Sequence, residues 1–188
     1  MALIDRAAKQ NLLQRARHAI ARAIGAPPPH RESLPQFSED FCAGAFVTLR
    51  MNGQLRGCIG YPESDLPLVE VVERCALSAA VSDPRFPPLS PGEWSGIDLE
   101  VSVLGPIERV DDIKDVIVGR HGLIVEFGRQ RGLLLPQVAT EWNWSAEELA
   151  SQTCAKAGLP HDAWQKGAKL FKFEAEVFAE GDESFTGE

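Results

Sequence analysis

Apolar residues recur along the chain with two different spacings. Over residues 5–24 and again over 67–80 they return every three or four positions, which predicts two helices. Residues 97–104 and 169–178 alternate between apolar and polar side chains, which predicts half-buried antiparallel strands. Strands that follow one another with few helices between them indicate an α+β fold, with a mainly antiparallel sheet flanked by helices.

A β-hairpin is predicted in the first half of the chain. Asn52 and Gly53 lie between two strand-like stretches, residues 46–51 and 55–60. This dipeptide is typical of a two-residue type I′ turn, since both positions require a positive φ.

The turn also predicts which residues face each other across the hairpin. In the simplest register Cys58 lies opposite Val47, and Arg56 lies opposite Leu49. A bulge at Gly57 would change this register, and the sequence leaves that alternative open.

The second half of the chain carries clear boundary signals. Ser145 and Glu148 form a capping box that begins a helix, and Gly158 ends it. Residues 128–132 are predicted as a basic turn that leads into a short buried strand at 133–136.

The chain length of 188 residues predicts a single domain, with or without a smaller lobe attached to it. The chemistry-bearing motifs fall between about residues 40 and 178. A helix at 5–24 precedes this core, and an acidic tail at 180–188 follows it.

The net charge of −8 argues against broad binding to nucleic acid or to an anionic membrane surface, since both require basic surface. No apolar run approaches the ~20 residues of a membrane span, and the N-terminus lacks the features of a signal peptide. A cytoplasmic protein is therefore expected. Its four scattered cysteines are interpreted as free thiols. No spacing supports a metal site, although Cys58, His121 and a carboxylate could form one, and no cofactor is expected.

The stretch from residue 55 to residue 60 carries the most distinctive chemistry. Residues two apart on a strand share a face, so Arg56 and Cys58 are expected about 7 Å apart, where the guanidinium favours thiolate over thiol. Gly57 and Gly60 suggest the wall of an accessible pocket. The alternative is a cysteine packed as a small hydrophobe, with the glycines serving a bulge.

Other charged residues are further candidates for a site. Asp83 and Arg85 lie in a stiff, proline-rich loop, where they either pair with each other or present the arginine to an anion. Glu100 lies on the polar side of a predicted strand, either in a cleft or facing solvent.

His121 is bracketed by Gly119 and Gly122, which suggests a tight turn that presents its ring. Histidine is the usual general acid or base near neutral pH, and this ring could meet Cys58 in space. The alternative is a histidine that bonds to the backbone and fixes the turn.

Together these motifs resemble the AMMECR-one domain family over most of the chain. The resemblance implies an α+β fold with a larger and a smaller lobe, and no established activity. Bacterial and archaeal members look like protein A of the AmmeMemoRadiSam system, which implies a Memo-like protein and a radical SAM protein as partners. Gln137 stands where some relatives carry glutamate. The resemblance is carried by Gly44-Ala45-Phe46-Val47-Thr48-Leu49, Leu55-Arg56-Gly57-Cys58-Ile59-Gly60, Asp83-Pro84-Arg85-Phe86, Gly119-Arg120-His121-Gly122 and Leu135-Pro136-Gln137-Val138-Ala139, with Glu141 and Trp144.

Two functions remain open. The first is a thiol-dependent enzyme in which Cys58 is the nucleophile or a redox centre and Arg56 is its activator. His121 is then a general base, and Arg85 binds an anion. The second is a module without chemistry of its own that binds a small molecule or the two partner proteins. The residues expected to contact a small molecule are Arg85, Asp83, Gly57, Gly60 and Glu100.

Overall fold

The computed structural model describes residues 4–27 and 42–181, which divide into two compact units. Residues up to 104 and from 176 onward form the first unit, and residues 105–175 form the second. The predicted tail lies almost entirely outside the described residues. The helices are α1 (Arg6–Ile24), α2 (Leu68–Val81), α3 (Pro136–Glu141) and α4 (Ala146–Lys156), and the strands are β1 (Ala45–Met51), β2 (Gln54–Tyr61), β3 (Ile97–Leu104), β4 (Glu108–Val110), β5 (His121–Phe127), β6 (Gln130–Leu134) and β7 (Lys169–Ala179).

The first unit is a sheet with two helices on one of its faces. Its strands run in the order β2-β1-β3, followed by the end of β7, and β1 is antiparallel to both neighbours. Val47 and Leu49 of β1 are fully buried in one apolar cluster with Leu12 of α1 and Val72 of α2. The α+β fold with an antiparallel sheet flanked by helices is therefore confirmed.

Local capping explains where α1 begins and ends. The Asp5 carboxylate accepts a hydrogen bond from the Ala8 amide at 2.8 Å, and Gly25 takes the left-handed conformation that ends the helix. The predicted helix is confirmed.

The β1–β2 turn is formed as predicted, but the register beyond it differs. Asn52 and Gly53 both have positive φ, as a type I′ turn requires. Two residues further along β2 the pairing shifts by one, because Gly57 faces Leu49 and leaves Arg56 as an extra residue. The bulge moves every later residue of β2 by one position.

The prediction that Cys58 lies opposite Val47 is therefore wrong, since Cys58 faces Thr48. Because strand side chains alternate between faces, this one-residue shift places the thiol on the side of the sheet away from α1 and α2.

The second unit is built around β5, which pairs with β6 and with the first part of β7, and β4 pairs with β7. The capping box is confirmed, because the Ser145 amide donates to the Glu148 carboxylate at 2.8 Å and the Glu148 amide donates to the Ser145 hydroxyl at 3.2 Å. Leu149 on the same helix α4 is fully buried against Leu123 of β5.

The predicted basic turn at 128–132 is too long, since β6 already begins at Gln130. Gly132 is a strand residue, and a side chain there would lie 2.8 Å from the Thr153 carbonyl oxygen of α4. The glycine allows this helix to approach the strand, and sequence alone cannot distinguish that role from a turn.

Candidate functional site

The bulge in β2 creates a row of polar side chains across the first unit's sheet. Thr48 on β1 lies opposite Cys58 on β2 and opposite Glu100 on β3, so the three share the face away from the helices. In the next row, Phe46 lies between Gly60 and Ser102. We call the face formed by these two rows the Thr48 face.

Cys58 is a partly exposed thiol with a hydrogen-bond donor beside it. The Thr48 hydroxyl donates to Cys58 Sγ at 3.3 Å, and Thr48 itself is only 5% exposed. A donor to sulfur favours the thiolate. Cys75 and Cys154 differ, because both are fully buried and burial raises the pKa of the Cys75 thiol to about 12. Cys75 is a core residue of the first unit.

An ion pair holds the backbone of Cys58 on both sides. The Asp83 carboxylate accepts a hydrogen bond from the Cys58 amide at 2.9 Å, and Arg85 Nη2 donates to the Cys58 carbonyl oxygen at 3.2 Å. Asp83 and Arg85 also pair with each other at 2.7 Å, and this arginine holds the pKa of the Asp83 carboxyl well below its usual range. Because β2 is the edge of its sheet, the pair satisfies backbone groups that no strand reaches.

Arg56 forms an ion pair that the sequence did not indicate. Its guanidinium donates to both carboxylate oxygens of Glu93, at 2.8 and 3.2 Å, and it is 8% exposed. The arginine, together with the Ser90 amide and hydroxyl, lowers the pKa of Glu93 to about 2. The structure gives Arg56 a buried ion pair, and its role as an activator of Cys58 stays a prediction.

The two glycines of the motif are surrounded by packed atoms. A side chain at Gly57 would lie 2.2 Å from the carbonyl oxygen of Ala79 in α2, and one at Gly60 would lie 2.2 Å from the Phe46 ring. Both contacts favour the alternative of a structural role.

His121 belongs to the second unit, whereas Cys58 belongs to the first. Its Nδ1 accepts a hydrogen bond from the Ile117 amide at 3.0 Å, so the neutral ring carries its proton on Nε2. This contact matches the alternative in which the histidine fixes the turn. The role of general base stays a prediction.

We expect the stability of the protein to decrease as the pH falls below about 6.5, partly because of His121. Burial, followed by the charges of Lys172 and Arg120, holds the pKa of His121 below its ordinary value. The unfolded chain therefore binds the proton more readily than the folded one, and acid favours unfolding. In the variant His121→Asn, urea unfolding curves at pH 7.5 and 5.5 should differ less than in the wild type. An equal difference would contradict this prediction.

Sequence reasoning missed Thr48, Glu93 and Ser102. Thr48 and Ser102 become site residues only through the register, which the bulge decides. Ser102 is 1% exposed, and its hydroxyl finds no hydrogen-bond partner among the described residues. Glu93 was identifiable only as part of a Ser90 capping box, which is present in the short 3₁₀ helix Pro91–Gly96.

Metal-binding clusters and membrane-spanning helices are both absent from the described residues. Residues 4–27 and 42–181 contain no group of three histidine, cysteine, aspartate or glutamate side chains that could hold a metal ion. Within the same ranges, no helix is long and apolar enough to cross a membrane.

Comparison with known proteins identifies the family. The AMMECR1 family model matches residues 13–178. The chain belongs to the AMMECR1 family. The match confirms the resemblance that the motifs carry, and the family's model covers both units.

Several archaeal relatives are similar over most of their length. A protein of Methanothermobacter thermautotrophicus is 53% identical over 144 residues, which cover 73% of this chain and 75% of the relative. Protein MJ0810 of Methanocaldococcus jannaschii is 46% identical, with 79% and 78% covered. The crystal structure of the uncharacterized protein PH0010 from Pyrococcus horikoshii matches with a TM-score of 0.81 and 42% identity over 90% of both chains. None of these names gives an activity.

Proposed function

We propose that the protein is a thiol-dependent enzyme in which Cys58 is the nucleophile. Its substrate binds on the Thr48 face of the first unit. The observation that carries the proposal is the hydrogen bond from the Thr48 hydroxyl to Cys58 Sγ at 3.3 Å, on a thiol that is partly exposed. A nucleophilic cysteine needs both access and a stabilised thiolate.

The surroundings of Cys58 support this role in a second way. Asp83 and Arg85 bind its amide and its carbonyl group, so the backbone that carries the thiol is held in place on the edge strand. A fixed nucleophile reduces the entropy that must be lost when the reacting atoms meet.

As a part of this proposal, the enzyme acts in a pathway with a Memo-like protein and a radical SAM protein. The family membership supports this association, which the motif resemblance implies. Co-purification of the three proteins from a mixture of the purified components tests it.

Alkylation by iodoacetamide tests the proposal directly. In the variant Cys42→Ser, which removes an exposed thiol, Cys58 should react at pH 7.0 at least about tenfold faster than N-acetylcysteine. The further change Thr48→Val should slow the reaction about fivefold, because one hydrogen bond to sulfur is lost. Thr140→Val changes an exposed threonine of the second unit and is the control. Mass spectrometry identifies the modified cysteine.

The buried cysteines serve as internal references, since Cys75 and Cys154 should react only after unfolding. If Cys58 also reacts only after unfolding, the proposal is wrong. The chain would then be a binding module, and its affinity for the two partner proteins would be the next measurement.

A further inference from the structure

Arg85 is an exposed arginine that is nevertheless held in one orientation. Its side chain is 52% exposed, yet Nε and Nη2 donate to the two carboxylate oxygens of Asp83, at 3.0 and 2.7 Å. Nη2 also donates to the Cys58 carbonyl oxygen, and the guanidinium lies 5.5 Å from the centre of the Phe86 ring. A long side chain usually loses considerable rotational freedom when it binds a ligand. Because these contacts already fix Arg85, little further freedom would be lost on binding, and the arginine is preorganised.

One edge of this guanidinium remains available. Nε and Nη2 are occupied, whereas Nη1 makes no hydrogen bond to any residue of the described part of the chain. A planar guanidinium with a fixed, exposed edge suits the oxygens of a carboxylate or phosphate group.

The available edge lies close to the proposed nucleophile. Nη2 is 3.2 Å from the Cys58 carbonyl oxygen, and covalent geometry then places Nη1 within about 10 Å of Cys58 Sγ. The hydrogen bond and the charge of Asp83 raise the pKa of Arg85, with a smaller contribution from Cys58.

We propose that the Nη1 edge of Arg85 binds an anion, and that the substrate of Cys58 is a small molecule with a carboxylate or phosphate group near its electrophilic carbon. Asp83 is then a positioning residue, since it orients the arginine and the cysteine with one carboxylate. The inference rests on the proposed function and adds the class of substrate to it.

Two alkylating reagents of nearly equal size test the charge preference. Iodoacetate carries a carboxylate, whereas iodoacetamide is neutral. With either reagent, the thiolate displaces iodide from the CH₂ carbon and forms a thioether, and the thiol proton passes to the buffer. The rate ratio of iodoacetate to iodoacetamide should be at least about tenfold higher for Cys58 than for N-acetylcysteine at the same salt concentration. Inorganic phosphate should compete with iodoacetate and reduce this ratio.

The variants are chosen so that they keep the fold. Arg85→Gln alone would leave the buried Asp83 carboxylate without its cation, so the test uses the double variant Asp83→Asn with Arg85→Gln. This variant retains an acceptor for the Cys58 amide, and its rate ratio should fall about tenfold. Arg74→Gln is the matched control, because Arg74 also pairs with a carboxylate and is 56% exposed. Its ratio should equal that of the wild type.

The outcomes separate the two proposals. Rapid reaction of Cys58 with both reagents, at the ratio of the free thiol, overturns the anion site and leaves the proposed function intact. Reaction with neither reagent contradicts the proposed function. In that case the melting temperature in inorganic phosphate decides about the anion site. If phosphate raises the melting temperature of the wild type but not that of the double variant, the anion site is supported. If phosphate changes both melting temperatures equally, the anion site is overturned.

Discussion

Replacing Gly57 with alanine is expected to lower the free energy of unfolding by about 3 kcal/mol. The added Cβ would lie 2.2 Å from the carbonyl oxygen of Ala79 and 3.1 Å from its carbonyl carbon. Both atoms belong to the backbone of α2, which cannot turn aside as a flexible side chain can. The helix must therefore move away from β2, and the core between them must repack.

Urea unfolding of Gly57→Ala beside Gly92→Ala measures this effect. Gly92 lies in the same unit without a positive φ, and apart from its own neighbours along the chain no atom of the described residues lies within 4 Å of its added Cβ, so its variant should stay within about 0.5 kcal/mol of the wild type. A Gly57→Ala protein as stable as the wild type would contradict the close-packing argument and would favour the pocket wall that the sequence suggested.

Replacing Arg56 with methionine is expected to lower the free energy of unfolding by a similar amount, about 3 kcal/mol. The side chain of Arg56 is 10% exposed and that of its partner Glu93 is 26% exposed, so the carboxylate would remain largely buried without a cation. The double variant Arg56→Met with Glu93→Met should recover most of the loss, because an apolar pair can replace a buried ion pair. Failure to recover would show that the arginine has another structural role, or that the contacts of Glu93 with Ser90 in the capping box contribute to the loss.

The same ion pair predicts how stability depends on acid. The pKa of Glu93 is about 2 in the folded protein and near its ordinary 4.5 in the unfolded chain. The unfolded chain therefore takes up the proton first, and the stabilisation by the pair, which is present above about pH 4.5, is lost as the pH falls toward 2. In urea unfolding between pH 7 and pH 3, the difference between the wild type and Arg56→Met should become smaller toward pH 3.

The methionine variant also tests the predicted role of Arg56 as an activator of Cys58. If Arg56 acts only through Glu93, the folded variant should react with iodoacetamide at Cys58 at the rate of the wild type. A tenfold slower reaction in a variant that is still folded would support an activator.

Much of the fold follows from signals that are local in the sequence. Asp5 caps α1, Asn52 and Gly53 form the hairpin turn, and Ser145 begins α4 with Glu148, each through contacts within four residues. Such signals act before any tertiary structure forms, which is why single-sequence reasoning finds them.

The candidate site was predictable only in part. Asp83 and Arg85 are two residues apart, and their pairing was one of the two alternatives. The contact of Asp83 with the Cys58 amide joins residues 25 positions apart, and that of Arg56 with Glu93 joins residues 37 apart. No periodicity encodes such contacts, because they depend on how separate elements pack together.

By itself, the sequence determined the α+β class, the main helices and strands, the family and the motif that contains Cys58. Only the tertiary structure decided which face of the sheet the thiol occupies. That choice depends on a single extra residue, Arg56, in the pairing of β2 with β1. At this point the pairing shifts by one residue, Gly57 packs against α2 and the Arg56 side chain binds Glu93. Because successive side chains of a strand point to opposite faces, a shift of one residue exchanges the two faces.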